Sequence, residues 1–406
     1  MTPDEIAAVF RAEHGRAVAV LTRVLGDLGL AEDAVSDAFA AAVARWPASG
    51  PPPSPAGWIM TTARNRAIDH LRRESARADK HAAAVLLHAE TEPTDIGVVG
   101  DDRLRLIFTC CHPALAPEAQ VALTLREVCG LTTEEIAQAF LTSPATLAQR
   151  IVRAKAKIRE ARIPYEVPGP DELPQRLDSV LRVIYLVFNE GYSASSGTSV
   201  TRLDLSSEAI RVGRLLAALL PEPEAIGLLA LMLLHESRRA ARASATGELI
   251  LLNDQDRSLW NRELIGEGSA LVREALASRR VGPYALQAAI AAVHAEAVDA
   301  EATDWNEIVG LYDVLQRTDP SPVIELNRAV AVAMRDGPAA GLALVDAILA
   351  RGDLADYHLA HAARADLCRR MGNLAQAGAA YRRALALARQ EPERRFLERR
   401  LAELGD

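Results

Sequence analysis

Nowhere in the 406 residues do apolar and polar positions alternate long enough to give a strand one buried face, so no sheet can organise this chain. Apolar residues recur three and four apart instead, in a composition rich in alanine, leucine and arginine with only 4% aromatics, and the expected fold class is all-α. The longest apolar run, Ala225 to Leu234, is bounded by Glu224 and His235. It falls far short of the roughly 20 residues a membrane helix needs, so no membrane partner is expected. The acidic start Met1-Thr2-Pro3-Asp4-Glu5 lacks the apolar core of an export signal, and four cysteines in so long a chain suit a reducing compartment. A cytoplasmic location is expected.

Three breaks divide the helical pattern. Helical periodicity lapses between Arg77 and Gly100, around Glu92-Pro93-Thr94 and Gly97; two prolines and a glycine interrupt Ile163 to Pro170; a softer break runs from Thr318 to Pro322. The expected organisation is a helical module over 1–77, a linker over 78–100, a second module over 101–165, a middle helical domain over 170–318 and a repeat-like end over 319–406.

The second module carries the sharpest local signal. Pro117 to Val128 is an apolar helix stopping at Gly130, Thr132-Thr133-Glu134-Glu135 offers a capping box with Glu135 reaching back to Thr132, and Ser143-Pro144 caps and opens a third helix. Helix, tight turn and capped helix is the outline of a DNA-reading helix-turn-helix. In the third helix Leu147, Ile151, Ala154 and Ile158 share one face, while Arg150, Arg153, Lys155, Lys157, Arg159 and Arg162 cover the rest with only Glu160 opposing them. Because the whole chain carries a formal charge of -8, contact with nucleic acid has to come from such local basic segments.

In the first module Ala31 to Phe39 reads as an amphipathic helix with Glu32, Asp33 and Asp37 on its outer face. A proline-rich loop, Trp46-Pro47 to Pro55, precedes a helix from Gly57-Trp58 to Arg73 in which Ile68 and Leu71 face inward and Arg64, Arg66, Arg72 and Arg73 stay available to an anion.

Taken in this order, the run from Ala31 to Arg73 and the helix-turn-helix from Pro117 to Ile163 resemble regions two and four of the extracytoplasmic-function (ECF) sigma factors of the sigma-70 family. The resemblance implies a non-enzymatic subunit that directs core RNA polymerase to promoter DNA, with no catalytic residues, cofactor or metal. It implies that Glu32, Asp33 and Asp37 dock on polymerase. Trp58, Arg64, Asn65, Arg66, Arg72 and Arg73 would open and read the -10 element, Asn65 helping to line a pocket for a flipped base. Ser143, Thr146, Gln149, Arg150, Arg153, Lys155 and Lys157 would read the -35 element in the major groove. The loop departs from the usual family pattern in carrying Pro51, Pro52, Pro53 and Pro55. When bound to polymerase the protein would sit on the nucleoid.

Ordinary members of that family end near the equivalent of Tyr165, and this chain resembles a subgroup with a long helical, tetratricopeptide-like extension thought to take part in activating the factor. Setting Gly372 on the turn glycine of that repeat places Ala365, Ala377, Tyr381 and Ala384 on its packing positions, and a weaker copy precedes it at Ala329, Val330, Gly337 and Gly341. A protein or peptide partner for the extension follows from that likeness. His235-Glu236-Ser237-Arg238-Arg239 begins like a zinc-protease motif, but Arg239 stands where the second histidine belongs. Asn189-Glu190-Gly191-Tyr192 reads as a helix end at its glycine, Asp254 to Arg257 and Thr303-Asp304-Trp305 read as helix starts, and Cys110, Cys111 and Cys129 read as buried structural cysteines. A stand-alone helix-turn-helix regulator with a ligand-sensing helical domain is the alternative. It would not need the acidic helix and strand-opening loop of the first module.

Overall fold

The computed structural model describes residues 2–75, 96–140, 142–192, 203–244 and 247–405. Among them the regular structure is helical, with one isolated bridge between Ala243 and Leu249. No described helix is long and apolar enough to cross a membrane. Contacts gather the chain into two compact units, Met1–Leu186 and Val187–Asp406.

The first unit begins with α1 (Pro3–Leu25), α2 (Leu28–Ser49) and α3 (Pro55–Ser75). A capping box at Thr2 and Glu5 opens α1, and the Asp27 carboxylate accepts from the Leu30 amide to open α2. Val18, Leu21, Val35, Phe39, Trp46 and Ile59 are buried among the three helices, and Trp46 meets Trp58 edge-on with centroids 5.4 Å apart. The chain resumes in α4 (Ile96–Cys110), α5 (Pro117–Leu123), a π-helical turn over Thr124–Val128, α6 (Thr133–Ala139) and α7 (Pro144–Glu160). The apolar helix expected to reach Val128 thus widens into π geometry for its last five residues. The prolines after Ile163 end the basic helix, but the chain beyond them stays on this unit: Arg176 donates to the Phe108 carbonyl at 2.9 Å.

Helix α8 (Leu173–Tyr192) carries Gly191 in its last turn, within the stretch where the sequence placed a helix end. The second unit continues with α9 (Leu203–Leu219), α10 (Pro223–Glu236), α11 (Arg262–Ala277), α12 (Pro283–Glu296), α13 (Trp305–Thr318), α14 (Pro322–Asp336), α15 (Pro338–Ala350), α16 (His358–Arg370), α17 (Leu374–Leu387) and α18 (Glu391–Glu403). The long apolar run is explained by α10, which is buried on nearly every side and packs against α9, α11 and α12. Asp304 caps α13, as its sequence suggested, and Asp256 caps a short 3-10 turn. Ala365, Ala377, Tyr381 and Ala384 lie in one buried cluster with Ala329 and Val345, joining α14 to α18.

Candidate nucleic-acid interface

The helix-turn-helix forms from the local chemistry its sequence carries. Glu135 accepts from the Thr132 amide at 2.7 Å while Thr132 Oγ1 accepts from the Glu135 amide at 3.1 Å, and Ser143 Oγ accepts from the Thr146 amide at 3.1 Å. Gly130 takes a φ of 73°, which lets the chain leave the π turn and enter α6. Leu147, Ile151, Ala154 and Ile158 are buried, so α7 is held against the module by the face its spacing marked out. On the opposite side Ser143, Thr146, Gln149, Arg153 and Lys157 are exposed and Arg150 is half-buried. Thr146, Gln149, Arg150, Arg153 and Lys157 share a shallow concavity of about 340 Å³ with the chain segment from Ala114 to Ala119. A rigid helix offering amide, hydroxyl and guanidinium donors in one concavity can engage phosphates and base edges together.

Lys155 does not join them. Its ammonium turns the other way, 2.6 Å from Glu32 Oε2 and 2.8 Å from Glu127 Oε1, and its side chain is 16% exposed. Glu32 correspondingly is not on the outer face of α2. Its side chain is 12% exposed, and its other oxygen accepts from Arg126 Nε at 2.9 Å and the terminal guanidinium nitrogen at 2.7 Å. The physical reason lies in α1, which packs closely on the π turn: a Cβ on Gly15 would stand 2.5 Å from the Val128 carbonyl oxygen. That approach brings the start of α2 over Arg126 and α7. Asp33 and Asp37 remain exposed, with burial and the neighbouring Glu32 carboxylate pushing the Asp33 carboxyl up.

The cluster's titration follows from its burial. Glu127 is pushed up to about 7 by desolvation, which outweighs the attraction of Lys155. Lys155 is held above its ordinary value by the two carboxylates, and Glu32 below its own by Lys155 and Arg126, burial opposing the shift in each case. His14, buried beside them on α1, is lowered to about 4 by desolvation and then by Arg126. Two further ties join α1 to the second module: Arg23 donates to the buried Asp102 carboxylate at 2.8 Å, and the Tyr165 hydroxyl stands 2.8 Å from the Ala19 carbonyl and 3.0 Å from that of Asp102. Sequence reasoning missed Arg126 and Glu127. Their signal was present, as an adjacent charge pair inside the apolar stretch from Pro117 to Val128.

On α3, Asn65 and Arg66 are exposed, Arg64 is half-buried, and Trp58 is half-buried against Trp46. The side chains of Arg72 and Arg73 lie outside the described residues. Cys110, Cys111, Cys129 and Cys368 are all buried thiols, and burial pushes Cys111 up to about 12 despite a 3.3 Å contact with Thr124 Oγ1. His235 is buried and kept neutral by desolvation and then by Arg238, and no group of metal-ligating side chains forms among the described residues.

Models of known families match in three places: sigma-70 region 2 over residues 9–77, sigma-70 region 4 over 105–158, and a family of unknown function (DUF6596) over 176–276. An uncharacterized protein of Rhizobium meliloti (strain 1021) is 44% identical over 397 residues, covering 96% of this chain and 93% of the relative. The probable ECF RNA polymerase sigma factor SigI of Mycobacterium tuberculosis is 30% identical over 39% of this chain and 56% of its own length. The ECF RNA polymerase sigma factor SigK of a Mycobacterium species (strain KMS) is 27% identical over 36% of this chain and 78% of its own. No solved structure matches the chain significantly.

Proposed function

Because the chain belongs to the ECF branch of the sigma-70 family and is an RNA polymerase sigma factor with a large helical extension, we propose that α7 reads the -35 element through Ser143, Thr146, Gln149, Arg150, Arg153 and Lys157, with Lys155 joining once it leaves Glu32. The observation that carries this reading is the exposed concavity holding five of those side chains on a helix whose other face is buried. The -10 element falls to α3, with Trp58, Arg64, Asn65, Arg66, Arg72 and Arg73, and core polymerase to Glu32, Asp33 and Asp37 on α2. The protein supplies no chemistry of its own and works in the cytoplasm, on the nucleoid when bound to polymerase. Residues 1–77 and 101–165 act as the two promoter-reading modules, and 170–318 and 319–406 as the extension.

The extension regulates this activity or recruits a partner. What supports that role is a cleft of about 420 Å³ in the second unit, where Trp305, Tyr312 and Val330 offer an apolar floor and Arg369, Arg370 and Arg400 outnumber the carboxylates of Asp254 and Asp366 in the lining, Arg369 being paired with Asp366 and Arg400 with Glu403. An acidic segment with one aromatic or aliphatic anchor suits such a lining. Run-off transcription with bacterial core polymerase on a promoter library tests the whole reading. Promoter-specific transcripts that vanish on replacing Arg153 and Lys157 with alanine support it; transcripts indifferent to that change remove α7 from promoter recognition. Replacing Arg370 with glutamate should alter activation while leaving promoter choice unchanged.

A further inference from the structure

Four short motifs that promoter reading leaves unused come together in the second unit. Tyr192, at the end of α8, sets its ring 5.1 Å from that of His235, near the end of α10, and the Arg242 guanidinium lies over the Tyr192 ring at 3.7 Å. Arg238 Nη2 donates to His235 Nδ1 at 2.7 Å, and its guanidinium stands 5.9 Å from the centre of the buried Trp260 ring, which Arg257 also approaches at 4.7 Å. Arg257 in turn caps the end of α12, donating to the carbonyls of His294 at 2.8 Å and Ala297 at 2.6 Å, and the His294 ring meets Trp305 edge-on at 5.3 Å. The stretches Asn189 to Tyr192, His235 to Arg239, Asp254 to Arg257 and Thr303 to Trp305 are thus one neighbourhood, built from segments far apart in the chain.

This neighbourhood holds cations without counter-charge. The carboxylates felt there, Glu236 and Glu393 at Arg242 and Asp299 at Arg257, form no ion pair with those arginines; Glu236 is engaged by Arg239, and Glu393 by His358 at 3.0 Å. Arg257 is met by carbonyls, but Arg238 and Arg242 are not so provided for. Each guanidinium has five N–H donors. Among the described residues Arg238 uses one on His235, and Arg242 one on the Tyr192 carbonyl. Neither has a nitrogen sealed off without a partner, so the donors left over open onto space that solvent reaches. An arginine laid flat on an aromatic ring keeps its forked edge for an oxyanion. The imidazoles register the same field: His294 is lowered to about 4 by burial and then by Arg238 and Arg257, and His235 is lowered by burial and then by Arg238 and Arg242. His294 and Trp305 also line the cleft of about 420 Å³, which sets the neighbourhood beside an opening to solvent.

We propose that Arg238 and Arg242, backed by Tyr192, His235 and Trp260, form a binding site for a small phosphate dianion, free or as the monoester of a small molecule. Charge selects the class: two guanidinium groups with no carboxylate paired to either suit a dianion, and a phosphate monoester carries close to two negative charges at neutral pH. A carboxylate would leave one cation unpaired. Burial selects the size, because Arg238 is 8% exposed and only a narrow group, not a macromolecular surface, can reach it. The site lies wholly in the extension and does not depend on which helix reads the promoter.

Isothermal titration calorimetry on the full-length chain, at constant ionic strength, tests it with inorganic phosphate, glycerol phosphate and acetate. Phosphate should bind saturably, and acetate about tenfold more weakly or not at all. Arg238→Gln and Arg242→Lys should each weaken phosphate binding by about tenfold or more. A measurement on the unaltered chain covers the case in which a variant fails to fold: followed by NMR, the His294 ring should protonate at higher pH with phosphate bound, because the dianion offsets Arg238 and Arg257. Glycerol phosphate bound alongside inorganic phosphate identifies the ligand as the phosphate of a larger molecule, and inorganic phosphate bound alone identifies the free ion. Acetate held as tightly as phosphate, no saturable binding of either phosphate, or a His294 titration that phosphate does not move overturns the proposal. So does phosphate binding that survives Arg238→Gln and is lost in Arg370→Glu, which would move the anion into the cleft and leave the partner reading of that cleft open to its own test.

Discussion

Replacing Asp102 with alanine removes a carboxylate whose side chain is 1% exposed and which accepts from Arg23 at 2.8 Å and Arg105 at 3.3 Å. Breaking a fully buried ion pair from one side costs about 3–5 kcal/mol, because the remaining charge is left without a partner in a dry site. Here the arginine side chains are 41% and 29% exposed, so water takes up part of what the carboxylate gave. The expected loss is therefore about 2–3 kcal/mol. For a unit of 186 residues this lowers the midpoint of its thermal transition by roughly 4–12 °C. Asp102→Asn keeps the shape and one acceptor and should fall between the two. Differential scanning calorimetry on the full chain, with urea unfolding as a second measure, reads both. A transition for Asp102→Ala within a degree of wild type would show that the two arginines hold nothing in place, and the argument from burial would fail.

Other substitutions test the remaining links. Glu127 is protonated in the folded chain up to about pH 7 but in the unfolded chain only to its ordinary 4.5, so it makes stability fall as pH rises across that window. His14 works the other way, its contribution being lost as pH falls from 6.5 to about 4. Unfolding curves for Glu127→Gln and wild type should therefore diverge from pH 4.5 upward, the variant standing higher by pH 7; parallel curves would refute the assignment. Arg153→Ala should reduce the slope of log affinity against log salt for holoenzyme on promoter DNA by about 0.9, one phosphate contact, and an unchanged slope would take Arg153 off the backbone. Gly372 holds a φ of 78° between α16 and α17, so Gly372→Ala should cost about 1 kcal/mol of unfolding free energy in the second unit, and a neutral result would mean the turn relaxes.

The parts of the fold legible in the sequence are those governed by residues close together in the chain. The capping box at Thr132, the cap at Ser143, the stripe of Leu147, Ile151, Ala154 and Ile158, and the cap at Asp304 all depend on spacings of three or four, and all appear at those residues. What could not be read was long-range. Glu32 meets Lys155 across 123 positions and Arg126 across 94, and nothing within a helical repeat distinguishes Glu32 from the exposed Asp33 beside it. The π turn at Thr124 was equally hidden, since its sequence continues an ordinary apolar helix and the widening accompanies the close approach of α1 at Gly15. Gly191 marked a helix end as its sequence suggested, lying one residue before the end of α8 at Tyr192, which stacks on Phe188 at 5.5 Å.

The seam where α1 and α2 meet the second module, through Arg23, Asp102 and the Glu32 cluster, ties stability to activity with a sign that separates two views of it. If Arg23, Asp102 and the Glu32 cluster only hold the first unit together, any substitution that loosens them lowers the thermal transition and transcription in step. If the closed seam competes with polymerase, loosening it removes a barrier to binding, and the two quantities move in opposite directions over the range where the modules themselves stay folded. Asp102→Ala is suited to this comparison because Arg23 lies on α1 and Arg105 on α4, away from the promoter-reading faces of α3 and α7. At limiting core polymerase, well below the melting transition, Asp102→Ala should give more transcript than wild type, with the gain shrinking as polymerase is raised to saturation. A loss of transcript at every polymerase concentration would make the contact purely structural.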